Sequence, residues 1–424
     1  MEVKNEKTDR RSNSVKRTNK KRRKKIRINT DALKFDKETL KELAVSKKNA
    51  KTIKLVAIVV VVLLLIILAA AQFGGVTFST INDNIHTAIA GVGSGEGYPY
   101  RINGIEICDA NITNSDLILV YDDTVKVLDS TAKELSNLSH TYDHPIMSSN
   151  SGRALVYDMG EKSFRVQAKT RVLYEKEIPY MILTGAIGKD GTVAIGSRAK
   201  DAQSMLTVYN TKAEELFVWK CAKENIISCD VSDNGKLFAV TVLGVDNGSV
   251  YSKVYIFNKQ SEEPKAAFEY PDSAITSVQF LSNETLFVFG NNVCEVIKGD
   301  EVKEKIDVSV NTPYKLYISD NNTAVLVLSK YSSTTQKIIK VYDKSGSELF
   351  TQEINGMVKS VATDGKYISV LTDEKVWVYN RKGEQTGVAE VSSDAEKVMV
   401  SGRNTYVYSV DRIEKFSSVS NNEE

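Results

Sequence analysis

His140, Asp143 and His144 come closest in type and spacing to a chemical site: two imidazoles and a carboxylate within the segment His140-Thr-Tyr-Asp-His144. Such a set can bind a transition metal. No third strong ligand type recurs beside it, so the segment reads first as a solvated loop. The four cysteines, Cys108, Cys221, Cys229 and Cys294, show no zinc spacing. A Cys221–Cys229 disulfide is conceivable, but apolar strand neighbours favour buried free thiols. The polar turns at 232–235 and 319–322 (SDNG and SDNN) carry calcium-type oxygens, yet turn chemistry accounts for those residues without a cation. No G-x-S-x-G elbow, H-E-x-x-H pair, Walker loop or EF-hand loop occurs. The sequence therefore assigns no catalytic, cofactor-binding or metal-binding residue, and no cofactor is expected.

The elements that would position any site repeat. From Tyr98 onward, short β-type segments are divided by Asn, Asp, Ser and Gly, and a polar turn followed by an apolar strand recurs eight times. Examples are NSDLILVYD (114–122), SGRALVYD (151–158), NNTAVLVLS (321–329) and DGKYISVLT (364–372). With turn positions at 115, 152, 191, 235, 284, 322, 365 and 404, the spacings are 37, 39, 44, 49, 38, 43 and 39 residues. Units of roughly 40 residues with three or four strands each are the signature of a β-propeller. A second element recurs downstream as VYNTKAEEL (208–216), IFNKQSEEP (256–264), VYDKSGSEL (341–349), VYNRKGEQT (378–386) and the related KVLDSTAKEL (126–135). Each ends a strand, turns on Asn or Asp and starts an outer strand, because those side chains bond their own backbone and tolerate left-handed conformations. The fold class is thus all-β, an eight-bladed propeller with seven blades as the alternative. The last unit stops after its third strand, and GYPYRIN (97–103) is expected to supply the missing one and close the ring.

Ahead of the repeats the chain is chemically opposite. Residues 1–54 hold 20 Lys/Arg and 7 Asp/Glu, net +13, so the remaining 370 residues are net −11 within an overall +2. Between them Leu55 to Ala71 is an unbroken apolar run, LVAIVVVVLLLIILAAA. As a helix it would cover roughly 25 Å, and insertion is favourable by roughly 4–8 kcal/mol with no charge to oppose it. A cleaved signal peptide is disfavoured by the long apolar stretch and the 54 residues before it. Lys47, Lys48, Lys51 and Lys54 crowd the N-terminal flank, and no Lys or Arg follows until Arg101. The positive-inside bias then places the N-terminus in the cytoplasm and the large domain outside. The expected organisation is a disordered basic cytoplasmic tail (1–34), a juxtamembrane helix (35–52), a transmembrane helix (53–73), a Gly-rich flexible spacer (74–97), the propeller (98–418) and a C-terminal tail (419–424). Nine of the twelve residues from Lys16 to Arg27 are basic. Lys20, Lys21, Arg22, Arg23, Lys24, Lys25 and Arg27 would contact anionic lipid at about 1 kcal/mol per charge, unless the tail only enforces topology. Nucleic acid is disfavoured, since no aromatic residue interleaves the run.

The arrangement resembles an uncharacterised family of single-pass membrane proteins of Gram-positive bacteria: basic tail, one span, then a propeller related to WD-repeat and quinoprotein-type rings. The residues carrying the likeness are the span 55–71, GEGYPYRINGIEI (95–107), LILVYDDTVKVLD (117–129) and the later VYN and VYD turns. The resemblance implies the architecture and the cell-membrane location, and brings no activity with it.

The leading expectation is a noncatalytic, membrane-tethered extracytoplasmic module that binds a protein or cell-envelope component. One rival is a propeller enzyme of hydrolase, lyase or lactonase type, whose acidic and basic groups converge from distant blades without a local motif. The other is a transmembrane sensor or scaffold working through its basic tail.

Overall fold

Short apolar runs such as Leu117-Ile-Leu-Val-Tyr121 and Ala324-Val-Leu-Val-Leu328 lack the alternation of a half-exposed strand, and each is buried along its whole length. A strand buried on both faces must lie between two other layers. In the computed structural model, which describes residues 93–102, 106–331 and 333–419, these runs form the second strand of each of eight four-stranded antiparallel sheets. The sheets are the blades of a propeller, numbered here from the N-terminus. Blade 1 spans residues 107–139, blade 2 145–177, blade 3 182–221, blade 4 225–271, blade 5 275–305, blade 6 311–355 and blade 7 360–390. Blade 8 takes three strands from 395–417 and its outermost from Tyr100–Arg101. The closure expected of residues 97–103 is therefore made: Tyr100 pairs with Ile413 and Arg101 with Arg412.

Eight apolar clusters hold the ring, one between each pair of neighbouring blades. Each blade faces two of them, which is how sheets unable to bury both faces alone are stable together. Outermost strands have one wet face and alternate accordingly, as in Glu301–Lys305.

The recurring turns have the expected chemistry. Of the turn positions read from the sequence, Ser115, Gly152, Gly191, Gly235, Asn322 and Gly365 are left-handed. In the third-to-fourth-strand turns of blades 1, 3, 6 and 7 one Asn or Asp oxygen accepts two backbone N–H groups. Asn210 Oδ1 accepts from Lys212 at 2.8 Å and Glu214 at 3.0 Å; Asp343 Oδ1 accepts from Ser345 at 2.8 Å and Ser347 at 3.1 Å. Blade 4 explains the longest repeat spacing. Its strands Leu237–Asp246 and Ser249–Asn258 each have 10 residues and meet at Asn247-Gly248, both left-handed, the signature of a tight hairpin.

The apolar run 55–71, the basic tail and the juxtamembrane segment lie outside the described residues. Among the described residues no helix is long and apolar enough to cross a membrane. The described residues belong to one compact unit, Thr77–Glu424. The end of the Gly-rich spacer, expected as a free tether, is fastened: Gly95 N–H donates to Thr131 Oγ1 at 2.8 Å and Gly97 N–H to the Thr131 carbonyl at 3.0 Å. A side chain on Gly95 would meet Lys133 N at 2.3 Å, so the approach needs glycine.

Candidate functional site

Alternating strand direction gives the ring two unlike faces. Turns joining first to second and third to fourth strands open on one, the turn face. Second-to-third turns and the inter-blade loops open on the other, the crossover face. The innermost strands line an axial channel between them, stapled blade to blade by short polar side chains. Ser148 Oγ accepts Ile187 N–H at 3.3 Å, Asp230 Oδ2 accepts Phe280 N–H at 2.6 Å, and Ser360 Oγ accepts Val398 N–H at 3.2 Å.

Near the turn face the channel is crossed by side chains. Thr113 of blade 1 donates to Asp320 Oδ2 of blade 6 at 2.6 Å, and Thr113 Oγ1 accepts Gly152 N–H at 2.9 Å. Lys189 pairs with Asp233 at 2.9 Å and donates to Asn322 Oδ1, while Asn322 Nδ2 donates to Asp233 Oδ2 at 2.7 Å. Lys189, Asp233, Asp320 and Asn322 line a cavity of about 370 Å³ whose wall also carries Asp230. Burial raises the Asp320 carboxyl above the usual carboxylate range against the Thr113 hydrogen bond. Burial also pushes Asp230 up to about 7, and the nearby Asp233 charge adds to it.

Asp230 keeps its proton to higher pH in the ring than in the unfolded chain, so wild-type stability falls as pH rises from about 4 to about 7. Asp230→Asn should remove that fall. Urea melts should show the variant equal to wild type at the unfolded carboxyl pKa of about 4, and more stable above pH 7 by about 1–3 kcal/mol, allowing for solvent in the channel. A variant no more stable than wild type at pH 8 would mean that Asp230 is ionised at no cost.

The crossover-face mouth is built differently. In six blades the innermost strand carries a bulge close to its start, leaving unpaired Cys108, Leu183, Ile227, Thr276, Tyr314 and Glu396. A bulge bends the strand and re-aims its side chain, and all of these except half-buried Leu183 are exposed. Exposed apolar residues gather on the same face. Of the twelve large ones among the described residues, Met181, Val310 and Met357 are in inter-blade loops. Met159, Val245, Val250, Tyr331 and Val410 are at second-to-third turns, and Ile227 and Tyr314 are at bulges. The other two, Leu216 and Val388, lie on outermost strands. None lies at a turn of the turn face. Apolar side chains scattered singly need no explanation, but their distribution here is one-sided.

The residues singled out in the sequence fall elsewhere. His140 is buried, not solvated as expected. Its Nδ1 accepts Tyr142 N–H at 3.2 Å, so the proton sits on Nε2, which donates to the Tyr121 carbonyl at 3.1 Å. Burial and the Arg165 charge lower its pKa. His144 is exposed, and its N–H donates to Asp158 at 2.8 Å. Both His140 nitrogens serve the fold, and among the described residues no three His, Cys, Asp or Glu side chains are placed to hold a metal. Cys221, Cys229 and Cys294 are buried free thiols, as expected; Cys108 is free and exposed. Burial first, then the hydrogen bond to Glu224, pushes the Cys221 thiol up to about 11. Lys47, Lys48, Lys51 and Lys54, and the basic residues from Lys20 to Arg27, lie outside the described residues. The bulge ring and the apolar face were not read from the sequence. The strict parity of the repeating turns, which assigns every turn to a face, was the signal for the second of these.

The model of one protein family, described as a family of unknown function, matches residues 109–416. No curated protein matches the sequence. Among solved structures, Sqt1 of Chaetomium thermophilum is similar at a TM-score of 0.53 and 11% identity, covering 78% of this chain and 100% of that one. The C-terminal WD40 domain of Sif2 is similar at a TM-score of 0.52 and 13% identity, covering 76% and 99%. The Dos1 propeller is similar at 0.50 and 13%, covering 72% and 85%. At these identities the likeness is one of fold, and the expected kinship with WD-repeat rings holds at that level.

Proposed function

The chain belongs to this family of unknown function, DUF5711, and from that premise we propose a membrane-tethered, extracytoplasmic binding module that docks a protein or cell-envelope component on its crossover face. The observation that carries the reading is the gathering of ten of the twelve exposed large apolar side chains on that face. A rigid ring adds little ordering cost on association, so the apolar contacts can be spent on affinity. The apolar run 55–71 and its lysine flank support the tether and the outward orientation.

The test is made in intact cells. A photo-crosslinking residue at Met181, Val245 or Met357 should give adducts, and one at Lys212 or Lys382 on the turn face should not. A membrane-impermeant maleimide should label Cys108, the exposed thiol among the described residues, and Cys108→Ser should lose the label. Burial and the neighbouring Asp122 raise the Cys108 pKa, so labelling is run above pH 8. Adducts from the turn face alone, or labelling only after the cells are opened, would overturn the reading.

A second reading has one observation in its favour. Asp230, with a pKa pushed up to about 7, has the proton affinity of a general acid or base at neutral pH. Its oxygen already accepts the Phe280 N–H, which suits a wall residue equally well. An enzyme of this kind would turn over a sugar or lactone panel and lose that turnover in Asp230→Asn.

A further inference from the structure

The mouth of the channel between blades 6, 7, 8 and 1 is cationic. A cavity of about 450 Å³ there is lined by Asp109, Asn111, Lys315, Tyr317, Ser360 and Lys397. A neighbouring hollow of about 290 Å³ shares four of these residues and adds Lys359 and Glu396. The charges are not evenly answered. Asp109 is taken by Lys397 at 2.8 Å, and the Lys359 amine is capped by the Ser393 and Ala395 carbonyls at 2.7 and 3.0 Å. Glu396 is exposed at its bulge. Lys315 donates to the Lys359 carbonyl and has no carboxylate within ion-pair distance among the described residues. Burial and the Lys397 charge both press its pKa down.

A half-buried ammonium that shares its cavity with a second ammonium and has no counter-ion of its own carries an electrostatic cost. An anion in the cavity beside Lys315 would offset it. Lysine ammonium groups act on phosphate as point charges with several donors. The rest of the wall offers an amide, a hydroxyl, a carboxylate and the Tyr317 ring, which suit the hydroxyls and one face of a polyol. The volume exceeds a bare phosphate and falls in the range of small-molecule sites.

We infer that this cavity binds a phosphorylated polyol or sugar, with Lys315 and Lys397 holding the phosphate and Asn111 and Ser360 meeting the hydroxyls. The inference deepens the reading of the ring as a binding module and rests on it. The ligand is a free monoester or a unit of a phosphodiester polymer; both present the same chemistry to the two lysines.

The experiment titrates the purified full-length chain with glucose 6-phosphate, glycerophosphoglycerol, glucose and glutamate, and follows heat release and melting temperature. One or both phosphate compounds should bind and raise the melting temperature, with the monoester preferred if the natural ligand is free and the diester if it is polymeric. Glucose and glutamate should do neither. Lys315→Gln should weaken phosphate binding at least about tenfold, a loss of about 1.4 kcal/mol. Without ligand it should melt above wild type, because it removes an unanswered charge. Lys397→Gln gives a second variant with the same expected loss of binding. Failure of both phosphate compounds to bind, equal binding of glutamate, unchanged binding by Lys315→Gln, or a lower melting temperature for that variant would each overturn the inference. Crossover-face adducts in cells together with no phosphate binding would remove the ligand class alone. Absence of those adducts would remove the docking reading beneath it.

Discussion

A chain that begins at residue 103 should fail to form the closed monomeric ring, whereas one that begins at residue 93 should form it. The strand Tyr100–Arg101 gives blade 8 its outermost edge, pairing with Ile413 and Arg412, and Ile102 N–H donates to the Asp411 carbonyl at 2.8 Å. The same segment packs on the cluster between blades 8 and 1 through Ile102, Tyr98 and Tyr100. The Tyr98 ring stands edge-on to Tyr406 at 5.1 Å, and Lys415 lies over both rings. Losing three large apolar side chains at roughly 1.5–3 kcal/mol each removes about 4.5–9 kcal/mol. That is a large share of the roughly 5–15 kcal/mol by which folded domains are stable. The deletion also bares the Arg412–Ser417 edge and the fully buried Ile413, a template for another chain. Light scattering and thermal melts decide the matter: the shorter chain should melt far lower or associate. A monomer melting within about 1 kcal/mol of the longer chain would show that three strands suffice for blade 8.

This closure was legible because it follows from counting. Seven repeats are complete, the last stops at Arg412–Ser417, and the unassigned β-type stretch lies at the other end of the domain. Turn positions were legible for a local reason: Gly, Asn or Ser at a left-handed residue is chemistry contained within four residues. The channel was not. Thr113 and Asp320 are 207 residues apart, and Lys189 and Asn322 are 133 apart; each looks like an ordinary turn residue until the ring brings blades 1, 3, 4 and 6 together. The bulges were hidden too, because Cys108, Ile227 and Tyr314 sit in segments whose alternation is unremarkable. The one site the sequence suggested dissolved for the converse reason. His140 and His144 are close in sequence, but the first turns inward to two backbone groups and the second outward to solvent.

The other large effect is expected at Arg165, whose charge reaches the buried His140. In the sequence Ser163-Phe-Arg-Val-Gln-Ala168, Arg165 reads as the solvated face of an alternating strand, yet it is 2% exposed. Its Nη1 donates to the Ser139 carbonyl at 2.5 Å and its Nη2 to the Leu138 carbonyl at 3.0 Å. A side chain on the third strand of blade 2 thereby ties down the end of blade 1's outermost strand. Glu175, paired across from it in the sheet, accepts the Tyr142 hydroxyl at 2.9 Å; burial and that hydrogen bond raise the Tyr142 pKa, and the Arg165 charge opposes the rise. Burial alone disfavours the guanidinium, and its pKa is lowered for that reason, with Tyr142 and Glu175 pulling the other way. A buried charge of this kind is held by its partners, and its removal orphans them. Arg165→Met keeps the apolar stem and removes both donors, leaving the Leu138 and Ser139 carbonyls short of a partner. The expected loss is about 3–5 kcal/mol in urea melts. Loss of protection should begin at residues 134–144 in hydrogen exchange, because that segment is released first. Arg165→Lys restores charge without the two-pronged fork and should recover less than half of the loss. Full recovery by lysine would mean that charge alone, and not the paired carbonyl contacts, joins blades 1 and 2.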